Sequence, residues 1–267
     1  MAMPRLHFEE LNDAVREAIT DKTGTIYAAR TAGGGMNSGV AALLDTDSGP
    51  VFVKGIPHDH PQVHAQQREA VINPYLPDAS PRLHWHIEAG GWDLLGYEVL
   101  PARHADYRPG SPDLDLVVAA VDELQKVKAP DVDLKRAEQR WGTYAPPGTA
   151  GLFAGDRLLH TDFAPDNVLI DDRAHIIDWA WPTQGAAWID PAVLILRLMD
   201  AGHQVAPAEA FAWRFASWRT ARRTAKRAFA AANAALWQEI AEEAPTPWKR
   251  GMSRHAAVFH TYMATAV

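Results

Sequence analysis

The sequence predicts an α+β chain in which an antiparallel sheet of about five strands is followed by a mainly helical half. Three observations lead there. Short strand-like runs joined by tight turns fill the chain to about residue 100, helical periodicity takes over from about residue 111, and one strongly polar loop near residue 160 lies between apolar runs. At 267 residues, 47% of them hydrophobic, the chain is long enough for one large core or two lobes.

In order, residues 5–20 ("RLHFEELNDAVREAIT") place Leu6, Leu11, Val15, Ala18 and Ile19 on one face, which predicts an amphipathic helix. "TIYAAR", "GVAALLD" and "PVFVKG" read as strands, the first two joined by the glycine-rich "TAGGGMNSG" and the second pair by the turn "TDSG". After Pro61, "QVHAQQREAVINPYL" has helical spacing, and "RLHWHIE" and "WDLLGYEVL" then form a hairpin around Ala-Gly-Gly. Ser111, Pro112 and Asp113 start a helix whose buried stripe is Leu114, Val117, Val118, Val121 and Leu124. A second helix is expected over 131–144. Beyond the polar loop come a turn at "DDR", the strand "AHIID" and helices to the end, including one over "FAWRFASWRTARRTAKRAFAAANAALW" with Phe211, Phe215, Trp218, Ala225 and Phe229 as its stripe.

Composition removes several function classes. There are no cysteines, so disulfides, thiolate metal sites and thiol catalysis are excluded. The opening MAMPRLHFEE lacks the apolar core of a signal peptide, and no apolar run reaches the roughly 18 residues that span a bilayer, so the expectation is a cytoplasmic protein without a membrane partner. A net charge of -7 argues against nucleic acid as a partner. The charge is uneven: from Asp200 onward nine Lys or Arg stand against five Asp or Glu, and before it 17 stand against 28.

The polar loop is "LLHTDFAPDNVLI". Polar groups this dense between buried strands must bind something or satisfy each other. His160, Asp162 and Asn167 give the spacing H-x-D-x-x-x-x-N, and Asp178 follows 11 residues after Asn167 at the end of an apolar strand. The pattern suits phosphoryl transfer, in which one carboxylate orients a hydroxyl and accepts its proton while an amide oxygen and a second carboxylate hold magnesium on nucleotide phosphates.

On "HTDFAPDNVLI" and "IIDWAWPTQGAAWIDPAVL", including Asp190-Pro191, the chain resembles the aminoglycoside phosphotransferase-like branch of the protein-kinase fold. The resemblance spans about residues 20–200. It implies a bilobal kinase-like fold, with a nucleotide-covering N-terminal lobe over 1–97, a hinge at 98–101 and a helical lobe over 102–267 that carries the catalytic loop and acceptor site. It implies Asp162 as catalytic base, Asn167 and Asp178 as magnesium ligands, and His160 as a support of the loop. Further upstream, "TAGGGMNSGV" resembles the nucleotide-covering loop, with Gly34, Gly35, Asn37 and Ser38 at the phosphates. Lys54 in "VFVK" takes the place of the phosphate-binding lysine, Glu69 that of its helix partner, and Glu98 to Leu100 in "YEVLPA" that of the adenine-binding hinge. The implied cofactors are ATP or GTP with Mg2+, and the implied acceptor is a hydroxyl of a small metabolite or antibiotic.

Two positions depart from the pattern: Ala164, where many relatives carry a polar side chain, and the pair Asn37-Ser38 at a loop tip without an aromatic residue. Only 11 residues separate Asp178 from Asp190, too few for a phosphorylation-switched activation segment. Trp179, Trp181 and Trp188 within that stretch read first as lobe-core packing and second as substrate stacking. "HDHPQVH" and "HWH" gather His58, His60, His64, His84 and His86, which read first as solvated histidines and second as metal ligands. The basic side chains between Arg214 and Arg227 read as a solvated face or as recognition of an anionic partner. Two alternatives share the same residues: a weakly active kinase-like module that binds a partner in a biosynthetic pathway, and a kinase acting on a peptide Ser or Thr.

Overall fold

The computed structural model describes residues 5–33 and 38–265, which fold as two compact units. The first takes the chain up to Arg103 together with His175–Ala180; the second takes His104–Ala174 and everything from Trp181 onward.

In the first unit, α1 (Asp13–Thr23) starts later than the periodicity over 5–20 predicts. Asn12 sets the start: its Oδ1 accepts the Val15 N–H at 3.0 Å, a cap worth about 1 kcal/mol, and Phe8–Glu10 wind into a separate 3-10 turn. The apolar face survives the shift, with Leu11, Val15 and Ile19 buried. The strands β1 (Ile26–Thr31), β2 (Val40–Thr46), β3 (Val51–Pro57), β4 (Leu83–Ala89) and β5 (Trp92–Glu98) form one antiparallel sheet in the order β1-β2-β3-β5-β4. Helix α2 (Val63–Ile72) enters after the third strand, as expected.

Alternation along β3 decides what its lysine meets. Val51 and Val53 join Val40, Ala42, Leu44 and Leu94 in the core against α1, so Phe52 and Lys54 point to the opposite face. That face is covered by α2, whose Ala70 packs with Leu95 and Tyr97. Lys54 lies directly across from Leu95.

In the second unit, α3 (Asp113–Leu124) buries the predicted stripe of Leu114, Val117, Val118, Val121 and Leu124. Short strands lie at β7 (Lys135–Arg136), β8 (Arg157–Leu159), β9 (Val168–Ile170) and β11 (Thr183–Gly185), while β6 (Arg103–His104) and β10 (Ala174–Ile176) fall where the chain passes between the units. The helix expected over 131–144 shrinks to α4 (Ala137–Arg140) and a 3-10 turn at Gly142–Tyr144. Lys135 and Arg136 pair instead in parallel with Thr183 and Gln184 of β11, a partner distant in sequence that overrides local propensity. β11 also runs antiparallel to β8. Only glycine fits beside it at position 155, where a Cβ would lie 2.3 Å from the Gly185 carbonyl oxygen.

Helix α5 (Ile189–Asp200) is buried along nearly its whole length. The single helix expected over 211–237 is broken into α6 (Val205–Ala212), α7 (Ala216–Thr220) and the start of α8 (Arg223–Glu243), with extended backbone at Phe215 and at Ala221–Arg222. Phe215, Trp218 and Phe229 of the predicted stripe are nonetheless all 0% exposed. Helix α9 (Pro247–Thr265) packs on α8. Among the described residues, no helix is long and apolar enough to cross a membrane.

Candidate active site

The first unit brings Lys54, Glu69 and Asp178 together. Lys54 Nζ donates to Glu69 Oε2 at 2.6 Å and to Asp178 Oδ1 at 3.0 Å. Lysine and glutamate are nearly buried, with side chains 13% and 6% exposed, whereas Asp178 is 39% exposed. Burial alone would lower the Lys54 pKa, but the charges of Asp178 and Glu69 outweigh it and hold the ammonium well above its ordinary value. Burial pushes the Glu69 carboxyl up against the pull of Lys54. Asp178 sits two residues past β10 with φ of 61°, the left-handed region that few non-glycine residues adopt. Such strain persists where the surroundings fix it and collects at functional sites.

The nucleotide-contact expectations divide. Gly34, Gly35 and Asn37 lie outside the described residues. Ser38 leads into β2, where the neighbouring Gly39 N–H donates to the Gly55 carbonyl at 2.9 Å. Glu98 ends β5 with its N–H on the Arg82 carbonyl at 3.0 Å and its Oε1 on the Arg82 N–H at 2.8 Å. The Leu100 carbonyl accepts from Ala102 at 2.8 Å, and its own N–H has no partner among the described residues.

The second unit holds the loop built on Asp162 and Asn167. The Asp162 N–H donates to His160 Nδ1 at 3.2 Å, and Asn167 Nδ2 donates to the Asp162 carbonyl at 3.1 Å. The Asn167 Oδ1 therefore takes no hydrogen bond among the described residues. Behind the loop, Asp190 at the start of α5 is fully buried and accepts the N–H groups of His160 and Thr161, each at 3.0 Å. Thr161 has φ of 67°, an outlier for a β-branched residue. Arg140 holds it there, donating to Thr161 Oγ1 at 2.5 Å and Thr183 Oγ1 at 3.0 Å. Burial lowers the Arg140 pKa to about 10, partly offset by Asp162 and Asp190.

Burial also pushes the Asp190 carboxyl up to about 7, against its two amide donors and Arg140. Truncation by Asp190→Ala strands two buried N–H groups, so an equilibrium unfolding cost on the order of 2–6 kcal/mol is expected. Between the ordinary carboxyl value near 4 and about 7, the folded chain binds more protons than the unfolded one. This group's contribution to stability therefore falls as pH rises through that window. Urea midpoints should drop more from pH 5 to pH 8 in the wild type than in Asp190→Asn; the reverse order would contradict the assignment.

Sequence reasoning missed Arg197. It projects from α5 to Asp162, its terminal nitrogen 2.5 Å from Oδ1, with the arginine side chain 9% exposed. The guanidinium lies 5.9 Å from the ring centre of Trp237 and 5.5 Å from that of Trp248. Asp162 Oδ2 is left without a protein donor among the described residues. The signal was present as a lone arginine in the apolar run "PAVLILRLM", a place where a charge needs a partner.

Of the three tryptophans, Trp179 and Trp188 are core residues, the first donating to the Ile176 carbonyl and the second packed edge-on against Phe153 and Phe229. Trp181 is flanked by the cations of Lys135 and Arg140. The basic stretch is largely absorbed by its own fold. Arg214 pairs with Asp115, Arg219 caps the Trp213 and Arg214 carbonyls, and Lys226 lies between the rings of Trp213 and Trp218.

No protein-family model and no curated protein matches the chain. Solved structures do. Choline kinase LicA from Streptococcus pneumoniae is 14% identical with a TM-score of 0.64, the match covering 92% of this chain and 97% of that one. Aminoglycoside phosphotransferase APH(4)-Ia, as a ternary complex with ADP and hygromycin B, is 12% identical with a TM-score of 0.57, over 91% and 98% of the two chains. The chain thus has the kinase-like α+β fold of choline kinase LicA and the aminoglycoside phosphotransferases.

Proposed function

We propose that the chain is a magnesium-dependent phosphotransferase that moves the γ-phosphoryl group of ATP or GTP to a hydroxyl of a small molecule. The observation that carries this reading is Lys54, nearly buried and bracketed by Glu69 and Asp178. A structural ion pair needs one carboxylate; here a second, more exposed one is held in strained backbone at the lysine's tip. Lys54 would bind phosphate oxygens, with Glu69 fixing its position. Asp178 and Asn167 offer a carboxylate and an amide oxygen, the hard donors magnesium prefers, and the ion would neutralise charge on the phosphates. The AMP and ADP complexes of LicA and APH(4)-Ia support nucleotide binding.

Asp162 would take the hydroxyl proton. Arg197 occupies Oδ1, so Oδ2 accepts the hydrogen as the oxygen attacks phosphorus and the bond to the β-phosphate bridging oxygen breaks. Arg197 also lies next to the reacting hydroxyl. Its guanidinium pairs with Asp162 and faces both tryptophans. The excess of basic residues after Asp200 is an unpromising match for a polycationic acceptor.

Ala164 favours a second reading, a module with little activity that holds a partner; the retention of Lys54, Asp162, Asn167 and Asp178 weighs against it. A peptide hydroxyl as acceptor uses the same residues. The deciding experiment is calorimetric titration of ATP and GTP, with and without magnesium, on wild type and Asp178→Asn. Magnesium-dependent binding that the variant loses supports the phosphotransferase, and absence of binding to either nucleotide overturns it.

A further inference from the structure

The two histidine clusters that phosphoryl transfer leaves unused meet in the first unit. His86 and Glu88 are two apart on β4 and so share a face of the edge strand, and Glu88 lies directly opposite Asp93 of β5. His58 arrives just after β3, its N–H donating to the Gly91 carbonyl at 2.9 Å and its Nε2 lying 3.7 Å from Glu88 Oε2. The donor atoms of His86, Glu88 and Asp93 all fall within 4.8 Å of one another.

Asp93 is the unusual member. Its side chain is fully buried, with Oδ2 2.8 Å from His86 Nε2 and Oδ1 accepting from Gln66 Nε2 at 2.5 Å. Gln66 also donates to the Asp93 carbonyl at 2.7 Å, so an amide from α2 fixes the carboxylate from behind. A carboxylate removed from water needs a cation or several hydrogen bonds. The front of Asp93 opens onto an imidazole and a second carboxylate. Carboxylates so held by a neighbouring amide are how metal ligands are commonly oriented.

We propose that His86, Glu88 and Asp93 bind a first-row divalent cation of the zinc type, with His58 at the fourth position. Mixed imidazole and carboxylate donors suit zinc, whereas magnesium and calcium favour all-oxygen shells. At metal–ligand distances of about 2.0–2.1 Å, tetrahedral ligand atoms lie about 3.3–3.5 Å apart, within side-chain rotation of the spacings here. The bound ion would tie β4, β5 and the β3–α2 turn together. Because Gln66 lies one turn before Glu69 on α2, it would also stiffen the helix that carries the partner of Lys54. The site does not depend on the phosphotransferase reading.

The test is calorimetric titration of zinc chloride into the chelator-treated full chain, alongside thermal unfolding with and without zinc. His86→Gln and Glu88→Gln are the variants, since these side chains are 32% and 57% exposed and both proteins should fold. One ion should bind per chain and raise Tm, each variant should weaken binding by tenfold or more and lose the Tm shift, and calcium chloride should not bind. No zinc binding by the wild type, binding unchanged in both variants, or equal binding of calcium would each overturn the proposal.

Discussion

Asp162→Asn should lower kcat by about 10²–10⁴-fold, the range that a positioned general base contributes, while leaving nucleotide affinity within about twofold of wild type. In free-energy terms this is about 2.7–5.4 kcal/mol of transition-state stabilisation. Asparagine is the informative replacement. Its carbonyl oxygen can still accept from the Arg197 guanidinium, which touches Asp162 at 2.5 Å, so the nearly buried arginine keeps a partner and the loop its shape. Alanine would strand that charge and mix a folding defect into the kinetics. With a turned-over acceptor in hand, steady-state kinetics give kcat and calorimetry gives nucleotide affinity on the same preparations. A loss of less than tenfold would remove Asp162 from the base role; a parallel collapse of nucleotide affinity would show a damaged fold instead.

The first hundred residues were legible because their signals are local. Period-two alternation and the glycine turns mark five strands, and the alternation of Val51, Val53 and Lys54 alone puts the lysine on the face opposite the valines. The polar loop was legible for the opposite reason: so many hydrogen-bonding groups between apolar runs have no structural explanation in sequence. What failed were features set by distant partners. Lys135 and Arg136 look helical until β11 offers them a strand to pair with. The stretch from Phe211 to Trp237 looks like one helix, yet its backbone turns extended at Phe215 and again at Ala221–Arg222 although Phe215, Trp218 and Phe229 share one helical face.

The candidate site shows the same division. Lys54, Glu69, Asp162, Asn167 and Asp178 carry a recognisable order along the chain, whereas Arg140, Thr161 and Arg197 act through hydrogen bonds that no spacing rule encodes. Arg197 is the costliest of these omissions, because it contacts Asp162 itself.

Lys54→Met should both destabilise the chain and abolish magnesium-nucleotide binding, and the two losses should separate in a double variant. Removing the ammonium leaves Glu69, 6% exposed, as a buried carboxylate without its cation, a change that typically costs about 3–5 kcal/mol. Asp178, 39% exposed, can be screened by water and adds little to that cost. Adding Glu69→Gln to Lys54→Met removes the stranded charge and should restore most of the stability, because a neutral amide is far cheaper to bury. It cannot restore a cation to the phosphates. Urea unfolding should therefore show recovery in the double variant while calorimetry shows nucleotide binding still lost. If the double variant regains both, the lysine is a structural partner of Glu69 and nothing more. If it regains neither, the stability of the first unit depends on Lys54 through contacts other than Glu69, and the ion pair is not what holds α2 against the sheet.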